Sequence, residues 1–370
     1  MEPRVLICIP TLGSGGAERQ VRLLAPRLAA RGIGLALFSR MDAADAAALG
    51  EAGVACFPIR YRGNHDPRLA PALYRAARSS RAALLHSLLP QMDILGGAVA
   101  LATGRRWILS ERVSAEGHGA GAKSRLRSAL GRSADMVVAN SRFGLDVWPG
   151  HPRRMLIGNG LDFDAIGAAP VASLGDDAGR TIIVSIARLA AQKRLDRLLR
   201  AIARLRPHVP DVLLVIVGEG PEEEALKRLA ARLGIERHVL FKGFQAEPWS
   251  WLKAAGVFVL TSAFEGHPNA VLEAAAAEVP QVLSDIPMHR AAVGDEGALF
   301  ADADDPDALA GAILAAIRDR DRAAAIAGAA RERVRDLCIE RAADLYADLY
   351  RRLAAETGRR PAASAAIASG

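Results

Sequence analysis

The sequence predicts an α/β protein built from two doubly wound domains of similar size. Short apolar runs alternate with amphipathic helical stretches along most of the chain, and this alternation is typical of parallel βαβ units. The alternation stops at residues 160–180, which are rich in Gly, Asp and small side chains without periodicity, and then starts again. Because ligands of such sheets bind beyond the carboxyl ends of the strands, we expect the two domains to face each other across a ligand-binding cleft.

The first domain is predicted to begin with a buried strand, VLICIP (5–10), followed by a glycine loop and a helix that ends at Gly32. Further strands are predicted at LALFSR, ALLHSL, RWILSE and VVAN. In the glycine loop, TLGSGGAER (11–19), the small residues let the backbone approach a ligand closely. Glu18 stands where the dinucleotide fingerprint would have its third glycine, so an NAD-dependent dehydrogenase is disfavoured.

The second domain repeats the alternation. Strands are predicted at TIIVSIARL, VLLVIVGEGP, HVLFKGF, VFVLTS and PQVLSD, with helices between them and a helical region from residue 306 onward. The predicted organisation is an N-terminal domain over 1–165, a linker over 166–179, a C-terminal domain over 180–340, a C-terminal helix over 341–358 that packs back toward the first domain, and a disordered tail over 359–370.

The composition excludes several classes of protein. No apolar stretch reaches the roughly 18 residues needed to cross a bilayer, and the first residues lack the long apolar region of a signal peptide. The three cysteines, Cys8, Cys56 and Cys338, have neither metal-ligand spacing nor the even number of a disulfide framework. We therefore expect a cytoplasmic protein.

The positive charge is concentrated in the first half of the chain. Residues 1–170 contain 22 Lys and Arg against 13 Asp and Glu, whereas the remainder contains 26 against 28. This asymmetry indicates an anionic partner for the first domain, such as a membrane surface or a phosphorylated acceptor, unless it reflects only arginine-rich solvated helices. Nucleic acid is a weak candidate, because aromatic residues are few and no nucleic-acid-binding signature is present.

A basic helix is predicted within residues 121–136. Its charged and apolar side chains are Lys123, Arg125, Arg127, Arg132, Leu126 and Leu130. Such a helix can rest on an anionic membrane leaflet and present a lipid-linked acceptor, or it can be an ordinary amphipathic surface helix.

The segment SAFEGHPNAVLEAAA (262–276) has the composition of a binding site. Pro268 suits the first turn of a helix, and the amides that follow it form an anion site at the helix start. Glu265 precedes this helix and Glu273 lies one turn inside it, so a bound anion would have a carboxylate on either side. Carboxylates accept hydrogen bonds from hydroxyl groups, which sugars and ribose provide; the alternative is two surface acids near a capped helix.

Two cations follow the first strand of the second domain. Arg188 and Lys193, in ARLAAQKRLD, stand at a strand end, where such a pair can clamp a diphosphate and neutralise a departing one. Taken singly, they are equally compatible with a solvated surface. The turn GEGP (218–221) is a further glycine turn at a strand end.

The motifs GSGGAE, ARLAAQKRLD, VGEGP, FKGF and SAFEGHPNAVLEA, in this order and spacing, resemble those of the family 4 retaining glycosyltransferases of the GT-B type, which have two Rossmann-like domains. The resemblance covers residues 4–355, and the second half matches best. Its most specific part is the pair Glu265 and Glu273 with Pro-Asn between them, preceded by R-L-x-x-x-K.

The resemblance implies a role for each matched residue. Arg188 and Lys193 would contact the diphosphate of a nucleotide-sugar and stabilise the leaving group. Glu265 would accept hydroxyls of the donor sugar, and Glu273 those of the ribose. The other implied donor-binding positions are Gly15, Gly16, Gly218, Gly220, Phe244, Gln245, Gly266, His267, Asn269, Ala270 and Val271. The family typically works without a metal, and the D-x-D at 302–304 is interpreted as an acidic helix cap.

One position departs from the family pattern. Many members carry H-x-H at the end of the strand that corresponds to ALLHSLLP, whereas this chain has His86 and then Leu88. Either His86 serves near the reacting sugar or another group takes that position, and Glu111 in LSERVS is another cleft candidate on the acceptor side. A core role for His86 is equally compatible with the sequence.

The resemblance thus predicts a retaining hexosyltransferase. The expected reaction moves a sugar from a UDP-linked donor to an acceptor hydroxyl in cell-surface polysaccharide or lipid-linked glycan synthesis, at the inner face of the membrane. The alternatives are a nucleotide-sugar epimerase or hydrolase of the same fold, and a catalytically idle nucleotide-sugar-binding protein.

Overall fold

In the computed structural model, the apolar runs form parallel strands as predicted. The structure describes residues 2–13, 15–63, 66–114, 119, 121–177, 179–245 and 247–356, and the predicted tail at 359–370 lies outside them. The chain divides into an N-terminal unit, Met1–Gly160 with Leu337–Gly370, and a C-terminal unit, Leu161–Asp336.

The N-terminal unit contains a seven-stranded parallel sheet. Its strands in chain order are β1 (Arg4–Thr11), β2 (Gly34–Arg40), β3 (Ala55–Pro58), β4 (Leu84–Leu88), β5 (Arg106–Glu111), β6 (Met136–Ala139) and β7 (Arg154–Leu156). They lie in the order β3-β2-β1-β4-β5-β6-β7, so the winding reverses between β1 and β4. This order is that of a doubly wound α/β sheet, in which ligand sites lie at the carboxyl ends of the strands.

Helices cover both faces of this sheet. They are α1 (Gly16–Ala30), α2 (Ala43–Glu51), α3 (Leu69–Ser79), α4 (Pro90–Thr103), α5 (Ala122–Gly131) and α6 (Arg142–Leu145). Alternate residues of β1 enter different apolar clusters: Val5 and Ile7 join one that includes α1, and Leu6 and Cys8 join one that includes α4. Because both faces of β1 are buried, its sequence is a continuous apolar run rather than an alternating one.

The C-terminal unit contains a six-stranded parallel sheet in the order β10-β9-β8-β11-β12-β13. Its strands are β8 (Thr181–Ile186), β9 (Val212–Val217), β10 (Val239–Phe241), β11 (Val257–Leu260), β12 (Gln281–Ser284) and β13 (Leu299–Ala301). Its helices are α7 (Phe163–Ala168), α8 (Leu195–Leu205), α9 (Glu223–Arg232), α10 (Trp249–Ala254), α11 (Asn269–Ala276), α12 (Pro287–Val293), α13 (Pro306–Arg318) and α14 (Arg320–Val334). The reversal between β8 and β11 makes this a second doubly wound sheet, which confirms the predicted fold class.

The last helix, α15 (Ile339–Ala355), belongs to the N-terminal unit although it follows the C-terminal unit in sequence. Its side chains Tyr346, Tyr350 and Leu353 are buried in the apolar cluster that contains Val5 and α1. The core of the N-terminal unit is therefore built from both ends of the chain.

Three strands were not predicted, and one helix lies where a linker was predicted. The strands β3, β7 and β13 are three or four residues long and lie at sheet edges, where partly exposed side chains give no periodic signal. The helix α7 lies in the stretch that the composition indicated to be linker; Asp162 caps it by accepting a hydrogen bond from the Ala165 amide. None of the described helices is long and apolar enough to cross a membrane.

Candidate functional site

The ends of β8 and β11 bring the predicted lysine and glutamate together. Lys193 lies in a short 3-10 turn, Ala191–Lys193, after β8, and Glu265 lies in the loop after β11. The Lys193 Nζ donates to Glu265 Oε1 at 2.5 Å, and their side chains are 15% and 7% exposed. Because β8 and β11 are neighbours in a parallel sheet, their carboxyl ends meet at one edge, and this edge holds the ion pair.

Polar contacts fix the loop that carries Glu265. The Ala263 amide donates to the Gln192 carbonyl at 2.8 Å, and the Thr261 hydroxyl donates to the Lys193 carbonyl at 2.9 Å. The Ser262 hydroxyl donates to Glu265 Oε1 at 2.7 Å, so this oxygen accepts from two donors. Glu265 Oε2 accepts no hydrogen bond within the part of the chain that the structure describes and remains available to a ligand hydroxyl.

The helix α11 begins beside this loop. Glu273 is buried one turn inside α11, so neither it nor Glu265 is a surface acid. The structure corrects one detail of the predicted anion site: the Asn269 amide already donates to the His267 carbonyl at 2.9 Å. No side chain of the described residues caps α11, so the amides of Ala270 and Val271 are the donors of its first turn that lack a partner among the described residues.

Arg188 is not part of the Lys193–Glu265 contact. It is exposed just after β8, and its side chain forms no hydrogen bond or ion pair with another described residue. The glycine turn after β9 lies against the same segment, because the Leu189 amide donates to the Glu219 carbonyl at 2.9 Å.

Both glycines of that turn are required by close packing. A Cβ atom on Gly218 would lie 2.0 Å from the Ala187 carbonyl oxygen, and one on Gly220 would lie 2.3 Å from that of Leu189. Gly218 also has a φ of +139°, which disfavours any other residue. Its amide donates to the Gly243 carbonyl at 2.8 Å, which brings the next residue, the 44%-exposed Phe244, close to the turn.

The other predicted donor-binding positions fall around these elements. Gly266 and His267 are half-buried in the loop before α11, and Gln245 is exposed after β10 with its side-chain amide donating to the Lys242 carbonyl at 3.2 Å. In the D-x-D at 302–304, Asp304 pairs with Arg194 at 2.8 Å, and Asp302 accepts from the Asp304 amide. The described residues contain no group of three or more His, Cys, Asp and Glu able to hold a metal ion.

Sequence reasoning missed a set of small polar residues beside the glutamate. Ser262 and Ser284 follow or end neighbouring strands, β11 and β12, and the Ser284 hydroxyl donates to the Ser262 carbonyl at 2.7 Å. His289 on α12 contacts Ser284 in turn. The signal that could have revealed them is the position of each serine at a carboxyl strand end.

In the N-terminal unit, the predicted glycines begin α1. Gly15 precedes the first residue of the helix, Gly16, and a Cβ on Gly15 would lie 2.1 Å from the Glu18 Oε2. The start of α1 therefore packs against the carboxylate of Glu18 in its first turn. The helix dipole stabilises a negative charge at this position. A phosphate approaching Gly15 would have to displace this carboxylate.

The structure corrects the prediction for His86. It is the third residue of the five-residue β4, not a strand-end residue, and it is buried. Its Nδ1 lies 2.7 Å from the Tyr350 hydroxyl and its Nε2 lies 2.8 Å from the Ser110 hydroxyl. Burial, aided by the positive charge of Arg112, lowers the pKa of His86 to about 3. With both ring nitrogens occupied, His86 is a neutral core residue.

The structure also corrects the predictions that Glu111 lies in a cleft and that Arg127 lies on a basic surface. Both are buried, and Arg127 bridges two carboxylates, donating to Asp93 at 2.7 Å and to Glu111 at 2.8 Å. Glu111 also accepts from the Trp148 indole at 2.9 Å. Burial raises the pKa of Asp93 to about 6, although Arg127 opposes this shift. Arg127 therefore anchors α5 to the core and contributes nothing to a basic surface.

The remaining cations of α5 and the arginine that follows it are exposed. Lys123, Arg125 and Arg132 lie at the surface together with Leu126, which is 50% exposed. The predicted basic face is thus present, but with one cation fewer than its sequence indicates.

Two family models together match most of the chain. The model described as Glycosyltransferase Family 4 matches residues 14–164, and the one described as Glycosyl transferases group 1 matches residues 171–333. The two matches follow each other in sequence: the first covers β2 to β7 of the N-terminal sheet, and the second covers all strands of the C-terminal sheet.

Curated relatives share part of their length with this chain. The GDP-mannose-dependent alpha-(1-6)-phosphatidylinositol monomannoside mannosyltransferase of Mycolicibacterium smegmatis is 34% identical over 265 residues, which cover 64% of this chain and 67% of that protein. The lipopolysaccharide core biosynthesis glycosyltransferase LpsE of Rhizobium meliloti is 30% identical over 51% of this chain and 55% of its own. The N-acetylgalactosamine-N,N'-diacetylbacillosaminyl-diphospho-undecaprenol 4-alpha-N-acetylgalactosaminyltransferase of Campylobacter jejuni is 32% identical over 43% and 44%. The chain thus matches from less than half to two thirds of the length of these relatives.

Solved structures share the fold over nearly the whole chain. Anabaena HepE in complex with UDP and glucose has a TM-score of 0.80 at 20% identity and covers 95% of this chain and 100% of its own. The sucrose-phosphate synthase of Thermosynechococcus elongatus has a TM-score of 0.77 at 21% identity and covers 96% and 100%. At such identities the similarity establishes a shared architecture.

Proposed function

The chain belongs to the family 4 and group 1 glycosyltransferases, and from this membership we propose that it transfers a sugar from a nucleotide-diphospho-sugar to an acceptor hydroxyl. The observation that carries the proposal is the contact between Lys193 and Glu265 beside the start of α11. A cation and free backbone amides suit a diphosphate, and a carboxylate with an unused oxygen suits the hydroxyls of a sugar.

In this proposal the donor is bound by the C-terminal unit. Lys193, the unpaired Arg188 and the amides of Ala270 and Val271 hold the diphosphate. Glu265 accepts hydroxyls of the donor sugar through Oε2, and Glu273 accepts those of the ribose. The base and ribose lie near the Gly218–Gly220 turn and Phe244–Gln245. A uridine donor is supported by HepE, which was crystallised with UDP and with UDP-glucose.

The chemical step breaks the bond between the anomeric carbon and the diphosphate oxygen. The acceptor oxygen takes its place, negative charge develops on the departing nucleoside diphosphate, and the proton of the acceptor hydroxyl passes to an oxygen of that diphosphate. Lys193 and the start of α11 would stabilise this charge, and groups held in place before the reaction often contribute more to catalysis than any other effect. The proposal includes retention of configuration and no metal, and it assigns no proton transfer to His86.

For the acceptor we propose a lipid-linked or cell-surface glycan, bound by the N-terminal unit at the inner face of the membrane. The names of three relatives, which refer to phosphatidylinositol monomannoside, to lipopolysaccharide core and to a diphospho-undecaprenol, support this choice. The exposed cations of α5 supply the contact with an anionic surface.

The test is nucleotide release by the purified chain. UDP-, GDP- and ADP-sugars are supplied one at a time, with and without glycolipid extracts, and free nucleotide and sugar products are measured. We expect release from a UDP-sugar that depends on the acceptor. Release without acceptor would indicate a hydrolase, conversion of the sugar without release an epimerase, and binding without conversion an idle binding protein. The variant Glu265→Gln serves as the negative control.

A further inference from the structure

A continuous set of hydrogen bonds links α12 to the Lys193–Glu265 ion pair. His289 Nδ1 lies 3.0 Å from the Ser284 carbonyl oxygen, and the Ser284 hydroxyl donates to the Ser262 carbonyl at 2.7 Å. The Ser262 hydroxyl then donates to the same Glu265 oxygen that Lys193 contacts. Residues from several loops and one helix thus determine where this carboxylate sits.

The geometry selects one form of the His289 ring. A carbonyl oxygen only accepts, so Nδ1 must carry the hydrogen that is shared with Ser284. The Ser284 hydroxyl lies 3.2 Å from Nδ1. Because it donates its hydrogen to the Ser262 carbonyl, it can only accept a hydrogen bond from Nδ1. The ring is buried, and Nε2 has no partner among the described residues.

The environment favours the neutral ring. Burial lowers the pKa of His289, and the positive charge of Lys193 lowers it further, while the Ser284 carbonyl and Glu265 act in the opposite direction. A neutral imidazole with hydrogen on Nδ1 is a directional donor that adds no charge beside Lys193.

We propose that His289 is a positioning residue for the donor site: its Nδ1–H orients Ser284, which holds the Ser262 backbone so that Glu265 stays against Lys193 with Oε2 free. This inference rests on the proposed function, in which Oε2 accepts the hydroxyls of the donor sugar. His289 itself touches no substrate. Loss of its donor lets the Ser262–Glu265 segment move, and misplacements of about 1 Å in such sites lower rates by up to about 100-fold.

The test compares two amides that replace different ring nitrogens. In His289→Asn, the side-chain NH2 falls near the position of Nδ1 and can donate to Ser284; in His289→Gln, the amide reaches the region of Nε2 instead. His289→Leu removes both nitrogens, Ser284→Ala breaks the next link, and His208→Leu, at an exposed histidine of the same unit, is the matched control.

We expect His289→Gln, His289→Leu and Ser284→Ala to lower kcat/KM for the sugar nucleotide by about 10- to 100-fold. His289→Asn and His208→Leu should keep parental values. The affinity for the free nucleoside diphosphate, which lacks the sugar hydroxyls, should change little in all variants. Thermal unfolding identifies any variant that fails to fold. The comparison of kcat/KM between His289→Asn and His289→Gln, whose new side chains are both polar and similar in size, then tests the role of the Nδ1 hydrogen.

A second measurement separates this inference from the proposed function. Amide hydrogen exchange at 261–265 reports the loop directly, because the Ala263 amide is protected by the Gln192 carbonyl. We expect faster exchange there in His289→Leu and His289→Gln but not in His289→Asn. If the parent chain releases no nucleotide, the proposed function fails while this measurement still decides the role of His289. Equal behaviour of His289→Asn and His289→Gln would overturn the inference.

Discussion

Lys193 and Glu265 are 72 residues apart in sequence, yet the Nζ of the lysine lies 2.5 Å from the Oε1 of the glutamate. They meet because β8 and β11 are adjacent strands that run in the same direction. Both side chains are mostly buried, so each charge is stabilised by the opposite charge of its partner. This arrangement makes the lysine the first residue to test.

Replacing Lys193 with Met should lower nucleotide release by about 100-fold or more, because in the proposed mechanism the departing diphosphate would lose a cation that stabilises it. Initial rates at saturating donor measure this effect. Arg200→Met, at an exposed arginine on α8, is the control and should retain the parental rate. Near-parental turnover by a folded Lys193→Met protein would remove the lysine from the mechanism.

Arg127 and Arg125 lie on the same helix but should differ in their effect on stability. Arg127→Met leaves Asp93 and Glu111 buried without their cation and should lower the free energy of unfolding by about 3–5 kcal/mol. Arg125→Met changes an exposed side chain and should stay within about 0.5 kcal/mol. Urea unfolding of both variants gives the comparison, and equal losses would contradict the buried bridge.

His86 should make the N-terminal unit sensitive to acid. Its pKa is about 3 in the folded protein, below its value of about 6.5 in an unfolded chain, so the unfolded state binds more protons in this range. The stability from neutral His86 is fully present above pH ~6.5 and is lost as the pH falls toward 3, by about 1.4 kcal/mol per pH unit. We expect His86→Leu to flatten this dependence in urea unfolding between pH 7 and 4.5, and His208→Leu to leave it unchanged.

Gly218→Ala should disrupt the turn after β9. The new Cβ would collide with the Ala187 carbonyl, and the φ of +139° would be strained, so we expect a stability loss of about 2 kcal/mol or more and a higher KM for the donor. Gly311→Ala in α13 is the control, because its Cβ would meet no atom within 4 Å. That change should be neutral or stabilise the protein by up to about 1 kcal/mol.

The exposed cations of α5 should mediate binding to anionic membranes. The parent protein is expected to sediment with vesicles of anionic lipid at low salt and to be released in roughly 0.3 M salt, because screening shortens the range of surface charges. Replacing Lys123, Arg125 and Arg132 with Ser should abolish sedimentation. Undiminished binding by this triple variant would show that the surface lies elsewhere.

The central strands of both sheets could be predicted because each is a continuous apolar run that ends at glycine or a polar residue, as in β1 and β9. The edge strands β3, β7 and β13 could not, since three or four half-exposed residues give no pattern. For the candidate site, the sequence predicted that Lys193 follows a strand and that a helix begins before Glu273. Both features are present in the structure.

The sequence misplaced Arg127 and left the role of His86 open, because the position of each depends on a distant partner. Arg127 is indistinguishable from a surface cation until Asp93, 34 residues earlier, is known to lie beside it. His86 resembles a strand-end base until Tyr350, 264 residues later, is found against its ring. Local sequence carries no information on such pairs, because burial of a polar side chain is decided by the tertiary contacts that satisfy it.

The return of α15 to the first sheet has a consequence for biosynthesis. A ribosome synthesises all of Leu161–Asp336 before it makes Tyr346 and Tyr350, so the N-terminal sheet lacks part of its interior until these two residues have been made. We therefore expect nascent chains arrested before residue 339 to bind chaperones through the unfinished surface around Val5 and Ile7.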